Sequence, residues 1–230
     1  MKFIKLCRTF QSGLAVSYDA QEVLRRLPEV RGIVKGEGEE TFSEVVSCYI
    51  EGKSEDYLRE IKGISYRKKD GRIVENPWRE IMDLSRVPFV YEDMEEFKNK
   101  IIYYETSRGC PFSCSYCLSS IDKCLRFRDL DLVKKELQFF LDNEVPQVKF
   151  VDRTFNCKHS HSMEIWRYIA EHDNGITNFH FEISADLLNE EELELLGTMR
   201  EGLVQLEIGV QSTNPKTIGE IKRTMRFDKV

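Results

Sequence analysis

From Ile101 onward the sequence alternates between strand-like and helix-like segments: IIYYET, DLVKKELQFFLDN, QVKFV, SMEIWRYIAEH, NFHFEISA, NEEELELLGTM and LVQLEIGV in turn. Neighbouring parallel strands need a crossover of roughly a dozen residues or more, and a helix between them provides it. The alternation therefore predicts an α/β fold with a parallel sheet or barrel. Two strands narrow the choice. Phe179, Phe181 and Ile183 alternate with His180, Glu182 and Ser184, and Val204, Leu206, Ile208 and Val210 alternate with Gln205, Glu207, Gly209 and Gln211. A flat parallel sheet covered on both faces would be apolar on both. These strands offer one face to helices and a polar face to something else, as in a barrel lumen that holds a polar ligand; a half-solvated antiparallel sheet is the alternative. The helix from about Asp129 turns Leu130, Val133, Leu137, Phe140 and Leu141 to one side, and the helix after Asn189 carries Glu192 at the capping-box position.

Residues 1 to about 100 read differently. DAQEVLRRL and EETFSEVVSCYIEG have the spacing of short amphipathic helices, with Val23, Leu24 and Leu27 on one face and Phe42, Val45, Val46 and Tyr49 on another. VRGIVKGEGEE between them predicts a short strand running into a glycine-rich loop and helix start. GISYRKKDGRIVENP alternates around Lys69-Asp70-Gly71, a hairpin whose turn needs positive φ at glycine. Pro77 and Pro88 mark irregular chain. The expected organisation is a small α/β domain with a hairpin over 1–75, a linker over 76–100 and a β/α domain over 101–230.

With 34 basic and 40 acidic residues the net charge is −6, so no general attraction to nucleic acid or to an anionic membrane is expected. No apolar run approaches the roughly 18 residues of a membrane span, and MKFIKLCRTFQSG lacks a long apolar h-region. A cytoplasmic protein is expected. Its 7 cysteines are then thiols or metal ligands rather than a disulfide framework. Cys7, Cys48, Cys124 and Cys157 are scattered, whereas Cys110, Cys114 and Cys117 fall together in RGCPFSCSYC. Thiolates are soft ligands, and this trio could converge on zinc or on an iron–sulfur cluster. Closed structural zinc wants a fourth ligand, for which Cys124, Cys157, His159 or His161 are candidates, none in a paired spacing. A [4Fe–4S] cluster on three ligands keeps one iron open, which cofactor or substrate activation requires.

Cys110-Pro-Phe-Ser-Cys114-Ser-Tyr-Cys117, after a strand and before a helix, resembles the cluster motif of the radical S-adenosylmethionine (SAM) superfamily. The resemblance implies a partial, four-strand TIM-like β/α barrel. It implies that Cys110, Cys114 and Cys117 hold a [4Fe–4S] cluster whose open iron is chelated by SAM, with Tyr116 against the adenine. Asp152 and Thr154 in FVDRTFN would reach the methionine amino group, Glu182 and Gln211 the ribose, and Arg223 in GVQSTNPKTIGEIKR the SAM carboxylate. The activity implied is reductive cleavage of SAM to a 5′-deoxyadenosyl radical that takes hydrogen from a substrate, with a flavodoxin- or ferredoxin-type electron donor. SYDAQEVLRRLPEVRGIVKGEGEETFSEVV resembles the last third of the cobalamin-binding domain that precedes many such cores, so the front segment reads as its remnant. The chain has no Asp-x-His-x-x-Gly, which leaves cobalamin binding doubtful. Four barrel strands stand where the superfamily usually has six, so a fragment or truncated product is expected, with an open edge suited to homodimerisation. The other function classes are a non-catalytic metal or iron–sulfur module for interaction or electron transfer, and a fragment of a cobalamin-dependent radical SAM methyltransferase.

Lesser signals read more plainly. His159 and His161 are expected as surface imidazoles at a helix entry, Cys124 and Cys157 as buried small apolar residues, and Arg126 and Arg128 as solvating a loop, with binding of an anionic substrate as the alternative.

Overall fold

The computed structural model describes residues 10–120 and 123–226, which fall into two compact units divided between Met82 and Asp83. Cys7 lies outside the described residues.

In the first unit β1 (Phe10–Ser12), β2 (Gly32–Val34), β3 (Ile64–Arg67) and β4 (Ile73–Glu75) form one sheet in that order. β1 and β2 are parallel, and the later pairs are antiparallel. Short α1 (Leu14–Ser17) leads into α2 (Ala20–Arg26), which packs Leu24 on Ile33 from one face of the sheet. α3 (Glu39–Ile50) covers the other face, where Val45 and Cys48 meet Val34, Ile64 and Tyr66. Adjacent residues Ile33 and Val34 thus enter opposite cores, as the period of a strand dictates. The hairpin forms as expected, with Gly71 at φ 85° and its N–H donated to the Lys68 carbonyl at 2.9 Å. The GEGEE stretch becomes the loop and entry of α3, whose first turn carries Glu39 and Glu40 where the helix dipole favours negative charge.

In the second unit β5 (Ile102–Tyr104), β8 (Gln147–Phe150), β9 (Asn178–Ile183) and β10 (Val204–Ile208) lie side by side in chain order, all parallel. Helices α4 (Leu130–Asp142), α5 (His159–Glu171) and α6 (Glu190–Thr198) connect them, and α7 (Pro215–Glu220) follows β10. This sequential βα order is that of a partial TIM-like barrel. Phe179, Phe181 and Ile183 are buried against Trp166 and Ile169, while Asn178, His180 and Glu182 are only partly covered. Phe181 has its ring 4.3 Å from both Phe150 and Phe155. α4 starts at Asp129, whose carboxylate accepts from the N–H groups of Asp131 and Leu132, and α6 starts on the expected Asn189–Glu192 capping box. Residues 83–100 contain only short 3₁₀ turns, yet Phe89, Tyr91, Met94 and Phe97 pack on the second core. No helix among the described residues is long and apolar enough to cross a membrane.

Candidate cluster and cofactor site

Every expected site residue lies in or beyond the C-terminal ends of the four parallel strands, where backbone donors and loops of a βα sheet gather around ligands. The cysteine trio sits on a loop between two short strands, β6 (Ser107–Arg108) and β7 (Arg126–Phe127), paired antiparallel as its stems. Gly109 opens this loop at φ 95°, and a Cβ there would lie 2.6 Å from the carbonyl oxygen of Cys124, so only glycine fits. The far side of the loop is tied by the Ser115 N–H to the Ile221 carbonyl at 2.9 Å and by Lys123 Nζ to Ser113 Oγ at 2.7 Å.

Cys110 and Cys114 are buried and Cys117 is partly exposed. Cys110 Sγ lies 3.8 Å from Thr154 Oγ1. Among the described residues no group of three or more His, Cys, Asp or Glu side chains is arranged as a metal site.

The residues expected around a cofactor are only partly brought together. Tyr116 is half exposed, and its hydroxyl accepts from Arg223 Nη1 at 3.2 Å; Arg223 also donates to the Gly209 carbonyl. Gln211 is exposed at φ 57°, with its amide folded over Gly209. A non-glycine residue in the left-handed region stores strain of a kind that clusters at binding sites. Glu182 stands 3.7 Å from Lys149 Nζ, which also pairs with Glu207 at 3.0 Å, and His180 Nε2 is 3.1 Å from Glu207. The polar face of the strands is therefore a linked set of charges. Asp152 has no exposed surface, and its oxygens accept from the Thr106 N–H, the Thr106 hydroxyl and the Ser107 hydroxyl.

Several lesser expectations are corrected. Cys124 is exposed, and Cys157 is half-buried, its thiol pushed by burial up to about 11. His159 is half exposed beside Glu192, but His161 is 2% exposed, its ring 4.7 Å from Phe127. Arg128 does not solvate the loop: it is buried in a bidentate pair with Glu136, at 2.6 and 3.0 Å, and donates to the Leu84 and Val87 carbonyls. Tyr104 donates to the same carboxylate at 2.5 Å, and burial together with that bond holds its phenol protonated far above the usual range.

Burial pushes the Asp152 carboxyl up to about 6 and drives the His161 imidazole down to about 4. A carboxyl raised on folding stabilises most when protonated, so its contribution grows as pH falls; a depressed imidazole withdraws stability over the same range. Asp152→Asn removes the first and leaves the second. The metal-free variant is expected to lose stability relative to the parent as pH falls from about 6 toward 3.8, read from denaturant midpoints; a pH-independent difference would contradict it.

A model of the radical SAM superfamily matches residues 104–230, more than half of the chain. The chain belongs to that superfamily. Radical SAM proteins use a [4Fe–4S] cluster and SAM, and the donor set here fits: three soft sulfur donors on the loop between β6 and β7, two of them buried, with no fourth cysteine in the motif. An uncharacterized methyltransferase of Pyrococcus horikoshii is 27% identical over 217 residues, covering 90% of this chain and 46% of that protein. The anaerobic magnesium-protoporphyrin IX monomethyl ester cyclase of Rubrivivax gelatinosus is 24% identical, covering 89% of this chain and 38% of its own length. The chain thus spans less than half the length of these curated relatives. In fold it is similar to TsrM, a radical SAM methyltransferase from Kitasatospora setae solved with cobalamin and a [4Fe–4S] cluster, at TM-score 0.71 and 17% identity over 96% of this chain and 46% of that one. It is also similar to OxsB, a cobalamin-dependent SAM radical enzyme solved with aqua-cobalamin and SAM, at TM-score 0.74 and 20% identity, covering 96% and 33%.

Proposed function

We propose that this chain carries the cluster- and SAM-binding part of a radical SAM enzyme, with Cys110, Cys114 and Cys117 as the ligands of a [4Fe–4S] cluster. The observation that carries the reading is the C-x3-C-x2-C loop at the C-terminal ends of a sequential parallel sheet. When bound, the cluster supplies the electron that splits SAM into methionine and a 5′-deoxyadenosyl radical. The chain's own residues bind and orient. Tyr116 would lie against the adenine, and Arg223, which donates to its hydroxyl and to the Gly209 carbonyl, would face the SAM carboxylate. Thr154, already beside Cys110, would border the amino group of the methionine moiety, with Asp152 buried behind it. Glu182, 3.7 Å from Lys149 Nζ, and Gln211 would take the ribose hydroxyls. Phe150, Phe155 and Phe181 pack the helix-covered face of the sheet, opposite Lys149 and Glu182, and hold these strands in place.

The same reading places the protein in the cytoplasm, where thiols stay reduced, with a flavodoxin- or ferredoxin-type donor supplying electrons. β10 is paired on one side among the described residues, and its other edge is proposed to pair with a further strand, in a longer chain or in a second copy. A second reading, part of a cobalamin-dependent radical SAM methyltransferase, is favoured by the cobalamin in both structural relatives and by the methyltransferase relative.

The test is anaerobic reconstitution with iron and sulfide, reduction by dithionite and addition of SAM. The proposal expects 5′-deoxyadenosine and methionine in equal amounts; a filled cluster that leaves SAM intact would support a binding or electron-transfer module instead.

A further inference from the structure

We infer that Asp152 is a positioning residue for the cysteine loop, a buried carboxylate that fixes the stem from which Cys110 projects. This goes beyond the direct cofactor contact that the superfamily resemblance implies, and it rests on the reading that the cysteine trio holds a cluster. The geometry is one-sided: Oδ2 accepts from the Thr106 backbone N–H at 3.0 Å, and Oδ1 accepts from the Thr106 hydroxyl at 2.7 Å and the Ser107 hydroxyl at 2.6 Å. All three donors belong to the residues entering the loop, and Asp152, Thr106 and Ser107 are each buried. A carboxylate taken out of water is costly unless donors replace its hydration, so these three bonds hold as a set or fail as a set.

The set continues under the second stem. Thr106 Oγ1 has a single proton and gives it to Asp152, so the 3.1 Å contact with His161 Nε2 requires the imidazole to donate. The ring of His161 lies against Phe127 in β7. Asp152, Thr106, His161 and Phe127 therefore form one chain of contacts beneath both stems. Two residues beyond Asp152, Thr154 places its hydroxyl beside the Cys110 sulfur. Moving Asp152 shifts the Cys110 stem and its neighbour together, and outer groups that orient a metal ligand typically matter by about 10–100-fold in metal affinity.

The experiment compares the parent chain with Asp152→Ala and Asp152→Asn after anaerobic reconstitution, reading iron and sulfide content, cluster loss to a chelator, and the electron paramagnetic resonance of the reduced cluster. Asp152→Ala is expected to melt cooperatively yet retain the cluster about 10-fold or more weakly, with an altered spectrum. Asp152→Asn is expected to recover most of the retention, because its amide oxygen still accepts from the Thr106 N–H. If Asp152→Ala does not fold, Thr106→Val and Ser107→Ala remove the partners instead of the charge, and each is expected to loosen the cluster in the same direction. A folded Asp152→Ala with parental retention and spectrum overturns the inference; if its SAM affinity alone falls, Asp152 is a direct cofactor contact. A parent chain that binds no iron overturns the cluster reading itself, and this inference with it.

Discussion

Arg128→Leu is expected to cost about 3–5 kcal/mol of stability, because it strands the buried Glu136 carboxylate without its cation. The side chains of this pair are 5% and 4% exposed, and the guanidinium also holds the Leu84 and Val87 carbonyls. The loss therefore combines an uncompensated charge with two orphaned acceptors. Arg128 directly follows β7, so the same change should loosen the C-terminal stem of the cysteine loop. Removing the whole buried set, Arg128→Leu with Glu136→Leu and Tyr104→Phe, is expected to lie nearer the parent than the single variant, since apolar groups of similar shape can replace a buried pair. Denaturant midpoints measured on the metal-free chain check both statements. A single variant within about 1 kcal/mol of the parent would mean that Glu136 is relieved in some other way.

Cys114→Ala is expected to abolish cluster formation, whereas Cys157→Ala should leave iron and sulfide near the parental level. Cys114 is the middle donor of the trio, and two thiolates cannot hold a cubane that has three protein-bound corners. Cys157 is a half-buried thiol whose pKa burial pushes up to about 11, so it stays protonated at neutral pH and is a poor ligand as it stands. Iron counting after anaerobic reconstitution reads the difference. Equal loss in both variants would overturn the ligand assignment and bring Cys157 into the site.

The architecture was legible because period and punctuation are local. Strand and helix alternation, the Lys69-Asp70-Gly71 turn and the Asn189–Glu192 capping box each depend on a few adjacent residues, and each forms. The donor set of the site was legible for the same reason, since three cysteines lie on one turn. Spacing alone says nothing of how far such a loop closes around a metal.

Two of the misses left traces that helical periodicity could have exposed. On α4 the buried residues are Val133, Glu136, Leu137, Phe140 and Leu141, so Glu136 stands inside the apolar stripe, and a carboxylate there demands a buried cation. Arg128 is that cation. On α5 His161 stands one turn before Ile165 in the buried face, while His159, two residues away, points out. Both imidazoles were expected at the surface from the local run KHSH alone. Asp152 left less trace: its partners Thr106 and Ser107 come from a different strand end, and only the fold brings them within reach.

The most direct measurement is the electron paramagnetic resonance spectrum of the dithionite-reduced, reconstituted chain, recorded before and after SAM is added. A three-thiolate cluster with a vacant iron should give a [4Fe–4S]⁺ signal that shifts when SAM takes the vacant corner. Colourless protein, zinc held by four ligands, or an iron signal that SAM leaves unchanged would contradict the account.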